Sequence, residues 1–280
     1  MKKIVFAAGV AALALVAAAS ASTFVQPEST RLRIATEGAF APWNATTPDG
    51  KLIGFEIDLA NDLCRRLQAT CDIVAQDWDG ILPGLMQGRY DAVMAGVSIT
   101  DERAKAVDFS AAYAADPAVF ATRAGSPLSG VFPGLERVDL AGDAPSGRAA
   151  VATIANALRG KTVGVQVSTI HATMMEALFP GVAVRTYGKL DEAAFDLAAG
   201  RLDTLLGARS SVEAIGKAGG DLVAVGPAFS RGVLGHGVAA AVRKGDALSA
   251  RLTHAIAEAA QDGTTARLSD RWFGFDVSIR

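Results

Sequence analysis

The segment Ala95–Arg103 has the composition of a loop that binds a small zwitterion. Small residues end a predicted strand, so their backbone amides can approach a ligand, and Ser98 adds a hydroxyl group. Thr100 or Asp101 can cap the helix that follows, and Arg103 falls in its first turn. A guanidinium group presents a planar fork that suits a carboxylate. The alternative is a surface arginine that pairs with the neighbouring acids and binds no ligand.

The segment Gln166–Thr169 offers the same arrangement later in the chain. A predicted strand ends there and a predicted helix begins, so the first backbone amides of that helix lack partners within it. The positive end of a helix attracts anions. If both segments face one cleft, they would bind the same anionic group from two sides.

Signatures of nucleotide-binding and hydrolytic enzymes are missing from the sequence. It contains no G-x-x-x-x-G-K, G-x-G-x-x-G, H-E-x-x-H or G-x-S-x-G pattern. Its three histidines, at positions 171, 236 and 254, are too scattered to predict a metal site. The sequence therefore predicts no metal and no cofactor.

Charge and composition narrow the function further. Lys and Arg number 27 against 29 Asp and Glu, which gives a formal net charge of -2. Nucleic-acid binding usually requires a clustered basic excess, so we expect no nucleic-acid partner. Half of the residues are hydrophobic and a fifth are charged, which is typical of a globular chain of about two domains.

Residues 1–21 have the pattern of a secretory signal peptide. Lys2 and Lys3 precede an apolar run from Ile4 to Ala19, and an Ala-Ser-Ala cleavage motif ends at Ala21. We predict export with cleavage near Ala21. The alternative is an uncleaved membrane anchor, for which this apolar run is short.

Cys64 and Cys71 are the two cysteines of the chain, seven positions apart. In an oxidising compartment a short loop of this kind closes readily, and two cysteines allow one pairing. We predict a disulfide bond; the alternative is a pair of buried thiols. A zinc site is disfavoured because no histidine lies near to complete the ligand shell.

Strand and helix patterns alternate along most of the chain, which indicates parallel sheets covered by helices. Phe55, Leu59, Leu63 and Leu67 recur at helical spacing. The first series comprises strands at 31–36, 72–75 and 90–95 and helices at 55–67 and 80–87, with another helix from residue 100 or 101. The second series comprises strands at 161–167, 182–186, 202–206 and 222–225 and helices at 170–179, 190–199 and 210–218.

The sequence predicts two lobes. A Gly-Arg-x-Asp motif ends a helix and opens a strand at 88–91 and again at 200–203, which indicates two similar α/β units. We assign 28–116 and 233–280 to lobe 1 and 117–232 to lobe 2, with crossovers near 116–122 and 226–236 as a hinge. Residues 125–160, rich in Gly and Pro, form an inserted loop that ends in a helix at 148–158.

Taken together, several motifs resemble the periplasmic polar amino acid-binding proteins of ABC importers, in particular the lysine/arginine/ornithine and histidine group. They are F-A-P-W at 40–43, G-F-E-I-D-L-A at 54–60, D-A-V-M-A-G-V-S-I-T at 91–100, Y-A-A-D at 113–116, K-T-V-G-V-Q at 161–166 and W-F at 272–273. The resemblance implies an α/β fold of two lobes (a type II periplasmic binding protein). Each lobe would be a mostly parallel sheet with helices on both faces, hinged by two crossover strands.

The resemblance also implies the ligand contacts. Arg103 and Ser98 would bind the α-carboxylate of the ligand, with backbone amides near Ser168 and Thr169 closing from the second lobe. Aromatic walls and an acid for a cationic side chain would complete the cleft. The predicted ligand-binding residues are Glu37, Phe40, Trp78, Ala95, Gly96, Ser98, Arg103, Gln166, Ser168, Thr169, Ile170, His171 and Ala208. Phe40 and Trp78 are the walls and Glu37 is the acid, whose burial a cation would offset.

Departures from that group point to a particular branch. The family's acid for the ligand α-amino group aligns with Ala208, and Ile170 and His171 replace polar residues. This pattern resembles the octopine- and nopaline-binding branch, whose ligands carry a second carboxylate on an arginine-like skeleton. Arg209 or His171 would meet that carboxylate; alternatively Arg209 points away and His171 is an ordinary surface residue.

We therefore predict a binding protein and not an enzyme. It would bind a cationic amino acid or an opine, act as a monomer and deliver the ligand to an ABC permease in the inner membrane. One alternative is an ordinary arginine, lysine or histidine binder. Another is a cyclohexadienyl dehydratase-like enzyme, with Glu37 or His171 as general acid. A sensory module is a third, which would require a transmembrane segment or a fused catalytic domain.

Overall fold

A computed structural model describes residues 31–132, 134–142, 144–219 and 221–279. The predicted signal peptide lies outside these ranges. The first part of the chain contains β1 Arg31–Thr36, β2 Ala39–Phe40, β3 Asn44–Thr46, β4 Leu52–Ile53, α1 Phe55–Arg66, β5 Thr70–Ala75, α2 Ile81–Met86, β6 Ala92–Val93, α3 Asp101–Ala106 and β7 Val107–Phe109. Short 3-10 turns cover Trp78–Gly80, Pro127–Gly130 and Gly232–Leu234.

The remaining elements follow in chain order. They are β8 Ala118–Arg123, β9 Arg137–Asp139, α4 Pro145–Ala157, β10 Thr162–Gln166, α5 Ile170–Leu178, β11 Ala183–Tyr187, α6 Leu190–Ala198, β12 Thr204–Ala208, α7 Arg209–Lys217, β13 Leu222–Ser230, β14 Ala241–Arg243, α8 Leu248–Gln261 and α9 Thr264–Phe273. The predicted helix over 55–67 is confirmed, and Phe55, Leu59 and Leu63 are fully buried.

We call the five-stranded sheet and the helices that cover it the first lobe. Its strand order is β5-β1-β6-β14-β7, and β2, β3 and β4 form a small separate sheet. One face packs on α1, α8 and α9, with Trp43, Phe55 and Phe273 in the core, and the other face packs on α2. The last two helices therefore return to the lobe that the start of the described chain builds.

The six-stranded sheet and its helices form the second lobe. Its strand order is β11-β10-β12-β8-β13-β9. Side chains of β8 alternate between two cores: Phe120 packs with the residues of α4 and α5, whereas Val119 and Ala121 pack with those of α6 and α7. Both sheets are mixed, because β14 and β8 run antiparallel to their neighbours where the chain has changed lobe.

The Gly-Arg-x-Asp repeat performs the same task in both lobes. Gly88 and Gly200 adopt left-handed φ angles of 75° and 74° as α2 and α6 end. The Asp91 carboxylate accepts the Arg33 N–H at 2.9 Å, and the Asp203 carboxylate accepts the Thr162 N–H at 2.9 Å. Each aspartate thus fixes the start of the neighbouring strand, which supports the prediction of two similar units.

Three predicted boundaries differ from the structure. The segment 125–160 is more than a loop, because β9 pairs with β13 and α4 begins at Pro145, not residue 148; proline fits the first turn of a helix. The strand predicted at 90–95 covers only Ala92–Val93. The predicted crossovers overlap β8 and β13, which pair with each other inside the second sheet, so the chain changes lobe between β7 and β8 and between β13 and β14.

The predicted disulfide bond between Cys64 and Cys71 is confirmed. It joins the last turn of α1 to β5, with 6.2 Å between the Cα atoms. Within the ranges that the structure describes, no helix is long and apolar enough to cross a membrane.

Candidate functional site

A cavity lies between the two lobes, where several parallel strands end. Glu37 follows β1, Ala95 and Gly96 follow β6, Gln166 ends β10 and Ala208 ends β12. This edge of the sheets is the usual ligand site in α/β folds. The cavity is lined by Glu37, Phe40, Trp43, Trp78, Ala95, Gly96, Ser98, Arg103, Asp116, Gln166, Thr169, Ile170, His171, Leu190, Ala208 and Val238. All of the predicted ligand-binding residues belong to this lining except Ser168, which lies at its rim; their contacts with a ligand remain a prediction.

Arg103 is a cation without a carboxylate partner. The Thr100 hydroxyl caps α3 by accepting the Arg103 N–H at 3.2 Å, which places the side chain toward the second lobe. The guanidinium group donates to the Ser98 carbonyl at 3.1 Å and the Ser168 carbonyl at 3.4 Å, and lies 5.2 Å from the Trp78 ring centroid. No carboxylate among the described residues lies within ion-pair distance of it. Burial lowers the pKa of Arg103 to about 10, so an anion in the cavity would offset its lost hydration.

The start of α5 faces Arg103 across the cavity. Thr169 caps this helix by accepting the Ala172 N–H at 3.3 Å, which leaves the amides of Ile170 and His171 without acceptors inside the helix. Burial, with a smaller effect of Arg103, lowers the pKa of His171 to about 4. The imidazole is therefore neutral near pH 7 and offers hydrogen bonds but no positive charge.

Glu37 lies on another side of the cavity and is almost fully buried, with 7% of its surface exposed. Its Oε1 accepts the Gln166 side-chain N–H at 2.6 Å, and the same Gln166 amide nitrogen donates to the Gly188 carbonyl at 3.0 Å. Burial raises the pKa of Glu37 to about 7, although the Gln166 hydrogen bond and Lys189 oppose the rise. A cation beside this carboxylate would favour its ionised form.

Asp116 and Trp43 also line the cavity, although neither is among the ligand-binding residues predicted from the sequence. The Asp116 carboxylate accepts the Ser210 N–H at 3.3 Å, the Ser210 hydroxyl at 2.5 Å and the Trp43 Nε1–H at 3.2 Å. Burial raises the pKa of Asp116 to about 6. Trp43 belongs to the F-A-P-W motif and Asp116 to the Y-A-A-D motif. Their contacts with Ser210 of α7 depend on how the chain passes between the lobes.

Glu56 holds the loop that carries the small residues of the site. Its buried carboxylate accepts the Gly96 N–H at 2.7 Å, the Asn44 side-chain amide at 2.7 Å and the Tyr113 hydroxyl. Gly96 has a left-handed φ of 65°, and a Cβ atom there would lie 2.7 Å from the Phe40 ring. Glycine thus lets the ring pack directly on the loop. Burial raises the pKa of Glu56 despite these three donors.

Hydrogen bonds cross from lobe to lobe around the cavity. At the outer rim, the Ser168 hydroxyl donates to Asp79 at 2.6 Å, and the Trp78 indole N–H donates to the Ser168 carbonyl at 3.3 Å. At the inner end, the Trp43 indole N–H donates to the Ser210 hydroxyl at 2.8 Å. The two lobes are therefore in direct contact on both sides of the cavity.

Arg209 does not line this cavity. It begins α7, pairs with Glu213 at 2.7 Å, and borders a neighbouring cavity on the hinge side that shares Ser98, Asp116 and Val238 with this one. The structure thus agrees with the alternative in which Arg209 points away. Among the residues that the structure describes, no cluster of His, Cys, Asp and Glu side chains could hold a metal ion.

Comparisons with known proteins agree with this architecture. The chain is 37% identical to the octopine-binding periplasmic protein of Rhizobium meliloti over 269 residues, which covers 88% of this chain and 91% of that protein. It is 34% identical to the L-arginine-binding protein of Pseudomonas aeruginosa over 251 residues, covering 88% and 89% of the two chains.

A solved structure of an ancestral amino acid-binding protein, a precursor of cyclohexadienyl dehydratase, superimposes with a TM-score of 0.72. It is 26% identical in sequence, and the match covers 87% of this chain and 95% of the other. The sequence profile of the bacterial extracellular solute-binding proteins, family 3, matches residues 32–275. With its two-lobe α/β fold and the cavity between the lobes, the chain belongs to the bacterial extracellular solute-binding proteins, family 3.

Proposed function

We propose that the protein binds an amino acid or opine with an arginine-like skeleton between its lobes and delivers it to an ABC permease. The observation that carries this proposal is Arg103, a cation in the cavity wall whose partners are two carbonyl groups and an indole ring. A ligand carboxylate would pair with its guanidinium fork and accept hydrogen bonds from the backbone amides at the start of α5, which have no acceptor inside the helix.

The cationic end of the ligand would meet Glu37. Its second carboxylate oxygen, Oε2, has no hydrogen bond to another described residue, whereas Oε1 holds the Gln166 amide. A guanidinium or ammonium group there would offset the desolvation that raises the pKa of Glu37. Phe40 and Trp78 would pack against the aliphatic part between the two ends.

Two ligand types fit this arrangement, and the relatives include a protein named for each. An opine would place its second carboxylate where the neutral imidazole of His171 donates a hydrogen bond. Free arginine would have no such group and would present a primary ammonium. Position 208 holds alanine and offers no acid to a primary ammonium, which favours the opine. His171 is neutral and offers no charge to a second carboxylate, which favours arginine.

A dehydratase-like enzyme is the second candidate function. The observation that favours it is the pKa of Glu37, about 7, which suits a general acid. Its substrates, prephenate and arogenate, carry no guanidinium group, however, and prephenate would bring a second negative charge beside Glu37 and Asp116. We therefore place binding above catalysis, and turnover of prephenate or arogenate would reverse that order.

The setting of this function is also part of the proposal. Export to the periplasm, with cleavage near Ala21, agrees with the disulfide bond, since such bonds persist in oxidising compartments. Three relatives carry "periplasmic" in their names. We propose that the protein works as a monomer and binds no nucleic acid.

A thermal-shift panel tests the proposal. The protein would be unfolded and refolded to remove any carried ligand, then mixed with arginine, lysine, histidine, glutamate, octopine or nopaline. A ligand at a hundred times its Kd adds about 2.7 kcal/mol of stability. We expect arginine or an opine to raise the Tm and glutamate to leave it unchanged. A rise in Tm with glutamate alone would contradict the proposal, and so would an unchanged Tm with every member of the panel.

A further inference from the structure

We infer that Asp116, in the chain segment between the lobes, binds the amine nitrogen of the ligand. It would replace the acid that the family has at the position of Ala208, whose side chain cannot bind an amine. This inference rests on the proposed function, because it assigns one more group of the same ligand. It makes Asp116 a residue that determines specificity between ligands with and without an amine.

The backbone places Asp116 beside position 208. Ala208 pairs with Ala118 across antiparallel β12 and β8. One step further, the Arg209 N–H donates to the Pro117 carbonyl at 2.9 Å, and the next residue, Ser210, donates its N–H to the Asp116 carboxylate. Asp116 and Ala208 thus border the same end of the cavity from facing strands.

The Asp116 carboxylate retains the capacity for one more donor. A carboxylate offers about four lone-pair positions, and three donors are present: the Ser210 N–H, the Ser210 hydroxyl and the Trp43 indole N–H. All three are neutral, and within the described ranges no Lys, Arg or His lies within ion-pair distance. Burial raises its pKa to about 6, so a ligand ammonium would favour the ionised form.

The charges of the cavity wall support the same assignment. The wall contains two acids, Glu37 and Asp116, and one cation, Arg103, while His171 is neutral. Its complement is a ligand with two cationic groups and one carboxylate. The guanidinium group of an arginine skeleton accounts for Glu37 and its carboxylate for Arg103, which leaves the amine for Asp116.

The opposing interpretation is that Asp116 only holds the hinge. Its bonds to Ser210 and Trp43 link α7 to the first lobe, so a variant could weaken binding of every ligand by disturbing closure. The test must therefore separate loss of the amine contact from loss of closure. Two ligands that differ only in the amine do this: arginine and 5-guanidinopentanoate.

Calorimetric titration of both ligands into wild-type protein, Asp116→Asn and Asp116→Asn/Ala208→Asp provides the test. We expect wild type to prefer arginine by about tenfold or more, as for a charged contact in a partly buried site. Asp116→Asn should lower that preference at least about tenfold and leave 5-guanidinopentanoate within about threefold of wild type. The added acid at position 208 should restore the preference. Asp79→Asn, which alters a rim contact outside the cavity lining, is the control and should affect both ligands equally.

Equal weakening of both ligands by Asp116→Asn would overturn the inference and leave Asp116 as a hinge residue. An unchanged preference would overturn it as well. Wild-type protein that binds neither ligand, nor octopine, would overturn the proposed function together with the inference. The first two results leave the proposed function standing, so the two failures can be told apart.

Discussion

The two walls of the cavity divide the work of recognition unequally. The wall from the first lobe and the following segment contains Glu37, Arg103 and Asp116, every charged side chain of the lining. The wall from the second lobe contributes the neutral side chains of Gln166, Thr169, Ile170, His171, Leu190 and Ala208. Charge selection would therefore occur on the first lobe, whereas the second lobe would supply backbone amides and hydrogen bonds that form on closure.

The two walls also differ in the hydrogen bonds that hold their side chains in place. The cap at Thr100 and the buried Glu56 network hold Arg103 and the Gly96 loop within the first lobe. Gln166 and Ser168, by contrast, make their main hydrogen bonds to residues of the opposite lobe, Glu37 and Asp79. Arg103 and the Gly96 loop are thus positioned before closure, whereas the bonds of Glu37 to Gln166 and of Asp116 to Ser210 join the two lobes.

Arg103→Ala should have the largest effect, because it removes the cation of the first wall. We expect binding of arginine or octopine to weaken by about 2–5 kcal/mol, because a buried charge contact is lost. Calorimetry measures the loss. Arg65→Ala, at an exposed position of the same lobe outside the cavity lining, is the matched control and should bind normally. Normal binding by Arg103→Ala would refute the assignment of the first wall.

Glu37→Gln separates charge from shape in the same wall. A raised pKa means that Glu37 holds a proton below about pH 7, and a cationic ligand must displace it. Affinity of the wild-type protein for arginine should therefore fall as the pH drops below 7, by about tenfold per pH unit while one proton is released. Glu37→Gln should weaken arginine binding by about 1.5–3 kcal/mol at pH 8. The proton that the wild-type protein releases on binding arginine well below pH 7 should be absent in this variant.

The pH dependence of the stability of the ligand-free protein tests the raised pKa of Glu37 independently of ligand binding. The ionised Glu37 is disfavoured by burial, so its contribution to stability is present below its ordinary pKa of 4.5 and is lost as the pH rises through about 7. Glu37→Gln should remove this loss in a series of urea unfolding curves. An unchanged pH profile would contradict the assigned pKa.

The disulfide bond lies in the first lobe but outside the cavity lining, so its removal tests the stability of that lobe separately from ligand binding. Replacing both cysteines, as Cys64→Ser/Cys71→Ser, should lower the free energy of unfolding by about 2–3 kcal/mol, as expected for a short closed loop. Ligand affinity should stay within about twofold of wild type. A large loss of affinity would show that the first wall depends on this bond and is not fixed by its own hydrogen bonds.

Ser168→Ala is the smallest change and concerns the second wall. It removes the hydroxyl donor to Asp79 but keeps the carbonyl that accepts from Trp78 and Arg103. We expect a loss of about 0.5–1.5 kcal/mol for all ligands alike, mainly through faster dissociation. Stopped-flow fluorescence of the tryptophans would measure it, and a loss confined to one ligand would contradict a role in closure.

Local sequence patterns predict the elements and the disulfide bond well, because both depend on residues close together in the chain. The helix at 55–66 follows from its apolar spacing, and the cap at Thr100 from its hydroxyl before two acids. The pairing of β9 with β13 joins residues 137–139 to 228–230. No local pattern specifies such a contact, so the sequence indicates only a loop there.

The site residues also divide into those that local sequence patterns indicate and those that only long-range contacts bring in. Arg103 and Glu37 stand beside strand ends and helix starts that can be read locally, and the resemblance assigns their roles. Asp116 and Trp43 enter the site only because Ser210, far along the chain, meets both. The left-handed backbone of Ser168, with φ of 58°, has no glycine to signal it. Contacts between lobes are thus what the sequence predicts least.

We propose that Arg103 on the first wall selects the carboxylate of an arginine-like ligand. The direct measurement is calorimetric titration of arginine, octopine and agmatine, which is arginine without its carboxylate, into refolded wild-type protein. We predict that arginine or octopine binds and that agmatine binds at least about a hundredfold more weakly than the better of the two. Agmatine binding within about tenfold of that ligand would contradict it.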